Sequence, residues 1–211
     1  MPTCRSSWFP RRRPRTSAPL ARCRDSRAAG HSWQAYDRAV ELIEFGRLND
    51  EQYAALAGDE DDPWNAAEFG LAWLPKDHYV AVCDDDGRLV AAAGLVVIEV
   101  QFGAQPPIPV VGVGGVIVTA SHRGRGLGRW VISEALTCAE ATGPEIAMLF
   151  CRVELTGLYG RHGFAEVPGQ VFVDQPDGVV EISGAGVTMW RPLKAGAELP
   201  DGIVKVNGLP F

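Results

Sequence analysis

A chain of 211 residues with 46% hydrophobic side chains and a mean hydropathy near zero is long enough to bury one full core. No apolar run approaches the ~18 residues of a membrane-spanning helix, so no membrane partner is expected. The net charge of −6 is uneven: residues 1–30 hold eight arginines and one acid (+7), and the remaining 181 hold 12 basic and 25 acidic side chains (−13). So acidic a body disfavours nucleic acid and favours a cationic partner.

Residues 1–31 are rich in Arg, Pro, Ser and Ala without periodicity and read as a disordered leader. The fold is expected in 32–211. Five cysteines, Cys4, Cys23, Cys83, Cys138 and Cys151, make an odd count with no C-x-x-C, and the last three sit in apolar patterns. That pattern points to free thiols in a reducing cytoplasm. The four histidines show no metal-ligand spacing, so no metal is expected.

From Ser32 a helix is predicted, with Trp33, Tyr36, Val40 and Ile43 on one face and Gly46 at its end. A second short helix is predicted after Asn49-Asp50, with Tyr53 and Leu56 inward. The acid run Asp59–Asp62 before Pro63-Trp64 reads as a solvated loop. Tyr79–Cys83 and Leu89–Val97 are strands joined by the turn Asp84-Asp85-Asp86-Gly87. A third strand begins near Ile108.

The stretch from Val110 to Gly143 organises the rest. Val116, Ile117 and Val118 continue that third strand. Ser121-His122-Arg123-Gly124-Arg125-Gly126-Leu127-Gly128 then turns into a helix whose inner face is Leu127, Trp130, Val131, Ala135 and Cys138. The first amides of a helix have no intrahelical partner and are partly positive, and glycines let a ligand approach them. A phosphate ligand is therefore expected at Gly124, Arg125, Gly126, Leu127 and Gly128, with Arg123 and Arg125 beside it and no acid nearby. The dinucleotide fingerprint fails, because Arg129 stands where its third glycine belongs. The Walker loop fails for want of a lysine. Ile146–Cys151 is a buried strand, Glu154–Arg161 a short helix ended at His162-Gly163, and Phe164–Val167, Val171–Val173, Val179–Ile182 and Val187–Trp190 are late strands. The tail Ile203–Phe211 is left unassigned.

The loop R-x-x-G-x-G (Arg123, Gly126, Gly128), followed in order by LYGRHGF (158–164), resembles the GNAT superfamily of acyl-CoA N-acyltransferases over about 33–195. Tyr159 and the late hairpin also resemble the aminoglycoside 2′-acetyltransferases. The resemblance implies an α/β (α+β) fold: one domain, with a central mixed, mostly antiparallel sheet and helices on both faces. It implies acetyl-CoA as co-substrate, with Val116, Ile117 and Val118 along its pantetheine arm and acyl carbonyl, the loop 123–128 on its pyrophosphate, and Tyr159 as general acid. The bland alternative for Tyr159 is an aromatic leaning on Phe164. In the aminoglycoside enzymes a glutamate occupies the position matching Gly114, so the base is left open among Glu99, Glu154, Asp84, the carboxylate of Phe211 and water. The acid run 59–62 would border the acceptor mouth.

The function so implied is direct acetyl transfer to a primary amine of a small, cationic molecule. Acetylation of a protein amino terminus or lysine, and a silent acyl-CoA-binding module, are the alternatives. Exposed hairpins make a homodimer an expectation.

Overall fold

The computed structural model describes residues 40–62, 66–182 and 186–211; expectations for the leader and for Ser32 to Ala39 lie outside these residues. The first described element is a strand, β1 (Glu41–Phe45), and this corrects the predicted first helix over that stretch. Its residues alternate as well as they spiral. Leu42 packs towards one core cluster, Ile43 and Phe45 towards another, and five successive residues pair antiparallel with Tyr79–Cys83. A short window fits both periods, and an available ladder decides it.

Helix α1 (Asp50–Ala57) starts where expected, in a capping box: the Gln52 amide donates to Asn49 Oδ1 at 2.8 Å, and the Asn49 amide donates to Gln52 Oε1 at 3.0 Å. Leu56 is fully buried, but Tyr53 is 47% exposed, contrary to its expected inward place. Strands β2 (His78–Cys83) and β3 (Leu89–Phe102) form the predicted hairpin, and β3 runs five residues beyond its expected end. β4 (Ile108–Val118) lies antiparallel to β3 and leads into a 3-10 turn at Ala120–His122, then α2 (Leu127–Glu140). β5 (Ile146–Cys151), a 3-10 turn and α3 (Thr156–Gly160) follow, then β6 (Ala165–Glu166), β7 (Val171–Gln175), β8 (Gly178–Glu181), β9 (Val187–Pro192) and β10 (Val204–Val206).

Among the described residues these strands form one sheet in the order β6-β9-β5-β4-β3-β10-β7-β8, with β1-β2 attached to the first half of β3. β4/β5 and β10/β7 are its parallel pairs and the other pairs are antiparallel. The unassigned tail is thus an inner strand: Val204 and Val206 are fully buried between β3 and β7, which is why β3 extends to Phe102. α2 lays Leu127, Val131, Ile132 and Ala135 against Val80, Val82 and Ala91, whereas Leu56 of α1 meets Tyr79, Ala81 and Ala92 on the opposite face. Helices on both faces of a mixed sheet are what the sequence led us to expect. Cys83, Cys138 and Cys151 are buried free thiols.

Candidate active site

The loop after β4 has the expected form. Gly124 and Gly126 hold φ of 75° and 83°, a left-handed conformation costly for other residues, and nothing stands within 4 Å of where a Cβ on either would project. Gly126 is the N-cap of α2 and no side chain caps the helix. Among the described residues the first amides of α2 therefore have no side-chain cap. Arg125 is exposed and forms no ion pair among the described residues. Arg123 corrects the expectation of no neighbouring acid: its guanidinium donates to Glu60 at 2.6 Å and to the Val118 carbonyl at 3.0 Å. Sixty-three positions separate Arg123 from Glu60, so no local pattern shows the pair.

The strand beside the loop opens a cleft. β4 pairs with β5 only at Val111/Ala147 and Gly112/Met148; beyond that point the two strands part. On its other edge β4 keeps to β3, but the register shifts between Ala92 and Gly94, opposite Gly114 to Ile117, and Gly115 takes φ 59°. This β-bulge turns the backbone at Gly115 and Val116 out of the regular ladder. Into the parting opens a cavity of about 360 Å³ lined by Gly114, Gly115, Val116 and Tyr159, of which Val116 and Tyr159 are residues the sequence analysis expects at the chemistry; Ile117 and Val118 do not line it. Lys76, Tyr79, Trp73, Arg152, Asp62 and Phe211 also line it. A larger groove of about 970 Å³ lies between α1 and the β2–β3 hairpin and holds Asp84 and Glu60, but neither Tyr159 nor the bulge.

Of the base candidates, Asp84 is in the other groove, and Glu99 and Glu154 are exposed and line neither space. Phe211 does line the cavity: its side chain is 2% exposed and its ring packs 4.9 Å from that of Phe150. Gly112 and Gly114 make room for it. A Cβ on Gly112 would stand 2.4 Å from the Phe211 ring, and one on Gly114 would stand 3.0 Å from the Phe211 carbonyl carbon and 2.7 Å from Lys76 Cε. The space beside Gly114 is thus filled by two residues remote in sequence.

Tyr159 both leans on Phe164 and lines the cavity. Its ring meets Phe164 edge-on at 6.1 Å, and it is 6% exposed in the cavity wall. Burial, with a smaller push from Cys151, drives its pKa well up, so the phenol stays protonated. Tyr79, at the start of a predicted strand, is pushed up to about 12 by burial. Cys151 is raised to about 11 by burial and then by Glu166, which leaves a neutral, poorly nucleophilic thiol.

Lys76 was missed altogether. It precedes β2 and is 6% exposed, and burial lowers its pKa to about 8. The lowered value makes a stability prediction. Between about pH 8 and about pH 10.5 the unfolded chain still holds a proton that the native lysine has shed, so this group's contribution to unfolding free energy rises with pH. Lys76→Met should be the more stable protein at pH 7 by on the order of 3 kcal/mol, and the gap should close towards pH 10.5. Urea denaturation of both proteins across that range measures it; a gap independent of pH would refute it.

The match of this chain to known proteins follows the same geometry. Residues 44–167 match the model of the acetyltransferase (GNAT) domain. Glucosamine 6-phosphate N-acetyltransferase 1 of Oryza sativa subsp. japonica is 36% identical over 150 residues, covering 67% of this chain and 88% of that protein. The chain belongs to the GNAT acetyltransferase family. It is an N-acetyltransferase of that type. The GNAT fold is matched by the Escherichia coli GNAT family N-acetyltransferase YhbS in complex with CoA, at a TM-score of 0.53 and 18% identity over 82% of this chain and 93% of that one. Outside the GNAT cavity, Glu44, His78 and Cys138 bring possible ligand atoms within 4.8 Å of one another; within that set His78 Nε2 lies 3.2 Å from Glu44 Oε2. Among the described residues no helix is long and apolar enough to cross a membrane.

Proposed function

We propose that this chain moves an acetyl group from acetyl-CoA directly to a primary amine of a small molecule, with both substrates bound at once. The observation that carries the reading is the parting of β4 from β5 at a cavity shared by the β4 bulge and Tyr159. The amides at Gly124 to Gly128 receive the pyrophosphate, with Arg125, which forms no ion pair among the described residues, beside them. Val116, Ile117 and Val118 receive the pantetheine arm, and an amide at the bulge polarises the acyl carbonyl, a contribution often worth about 3 kcal/mol. The amine attacks that carbonyl, the C–S bond breaks, and Tyr159 gives the departing thiolate its proton.

Direct transfer is supported by the state of Cys151, a thiol in the cavity wall too weakly acidic to form an acyl-enzyme. A small acceptor is supported by the cavity volume of about 360 Å³, near the lower end for small-molecule sites. The named acceptor of the Oryza relative, glucosamine 6-phosphate, is a small primary amine. Lys76 in the wall argues against carrying forward the expectation of a purely cationic acceptor. The amine's proton passes to water or to the carboxylate of Phe211; appending residues after Phe211 separates the two, since only the second is abolished. Buried free thiols support a reducing cytoplasm, and the exposed Val179 and Val180 on the edge strand β8 support a homodimer.

The decisive experiment is thiol release from acetyl-CoA against a panel of small amines, including glucosamine 6-phosphate, and of peptides with free amino termini or lysines. Release with small amines is expected. Release with peptides alone would move the acceptor to protein, and coenzyme binding with no release would make the chain a silent acyl-CoA module.

A further inference from the structure

The inner wall of the cavity presents donors that the protein leaves without acceptors. The stem of Lys76 crosses two glycines: a Cβ on Gly94 would stand 2.5 Å from its Cγ, and one on Gly114 2.7 Å from its Cε. No larger residue at either place would let the lysine lie there. Its ammonium donates once, to the Leu74 carbonyl at 3.0 Å, and among the described residues no carboxylate pairs with it. Two of its three N–H groups are thus unused. Trp73, in the same wall, has a buried indole Nε1 with no acceptor. Arg152 also lines the cavity and forms no ion pair among the described residues.

The terminal carboxyl of Phe211 borders Gly114 as the Lys76 stem does, but among the described residues it forms no ion pair with the ammonium. A buried ammonium outside ion-pair distance of any carboxylate is unfavourable and persists where something else compensates. Here the free donors share one ligand-sized space with the groups that handle the acetyl group. Resting on the acetyl-transfer reading, we propose that the acceptor is an amine that also carries an anionic group, a carboxylate or a phosphate, and that Lys76 receives this anion. Arg152 supplies further donors. The anion sets the acceptor's direction: held at Lys76, it leaves the amine to reach across towards the bulge at Gly115–Val116.

The test is calorimetric titration of the protein–CoA complex with two matched pairs, glucosamine 6-phosphate against glucosamine, and alanine against alaninamide. Within at least one pair the anionic member should bind at least about tenfold more tightly, as expected for hydrogen bonds to a buried charge. Which pair shows the preference tells phosphate from carboxylate. Lys76→Met keeps the stem's bulk and should bring the preference to within about twofold while leaving CoA affinity unchanged. Equal affinity within both pairs, or no binding of any member, would overturn the proposal without recourse to the variant; so would a preference that survives Lys76→Met. A clear preference with no thiol release would leave the anion site standing and defeat the transferase reading.

Discussion

Gly126→Asp should abolish coenzyme binding and leave the fold intact. Gly126 is the N-cap of α2, with φ 83°, and the space before it is empty. Asp is among the side chains that tolerate a left-handed backbone best, so the strain is on the order of 1 kcal/mol and nothing is displaced. Its carboxylate would cap the open amides of α2, satisfying the donors on which the pyrophosphate is proposed to rest. It would also place a negative charge against a negative ligand. CoA affinity should fall by more than about 100-fold, roughly 3 kcal/mol, while the melting temperature changes little. Gly126→Ala, with at least as much backbone strain and no charge, should lose far less. Calorimetry on the three proteins measures it, and undiminished affinity in Gly126→Asp would refute the placement of coenzyme on this loop.

The second large effect belongs to Tyr159→Phe. The substitution removes one hydroxyl and keeps the ring that meets Phe164 at 6.1 Å, so packing and CoA affinity should survive. Turnover should fall about 100-fold or more, the usual worth of a positioned proton donor. The pH profile adds a sign. Because burial holds the Tyr159 phenol protonated well beyond the ordinary tyrosine range, no loss of rate from its ionisation should appear below about pH 10. Tyr79→Phe is the comparison: the same atom is lost from the same cavity at a residue not assigned the proton. Full turnover in Tyr159→Phe would hand the proton to water.

What could be read from the sequence was local. The loop, the span of α2, the bounds of β5 and the Asp84–Gly87 hairpin each carry their signal within a dozen residues, and the order loop, helix, strand, Tyr159 identified the family. What could not be read depends on pairings across the chain. β1 is a strand because β2 offers it an edge, and the tail is a strand because β3 and β7 leave a gap between them. Tyr53 stays 47% exposed, in the lining of the smaller cavity, because a helix of eight residues covers little sheet and Leu56 is its one buried position. Arg123 finds Glu60, and Lys76 finds the cavity, only in three dimensions. Glycines at 94, 112 and 114, inside strands where glycine weakens the ladder, were the signal for Lys76 and Phe211: they mark where another group comes close to the backbone.

The separation of β4 from β5 has a consequence for how the empty and loaded protein exchange hydrogen with solvent. Past Gly112 the edge of β4 that faces β5 has no neighbouring strand, so those amides should exchange with deuterium quickly in the free enzyme, even though the same strand is protected along its β3 edge. A bound pantetheine would act as the strand that is absent there. Protection should then appear between Val113 and Val118 with no change of overall structure, and the melting point should climb with coenzyme concentration as mass action requires.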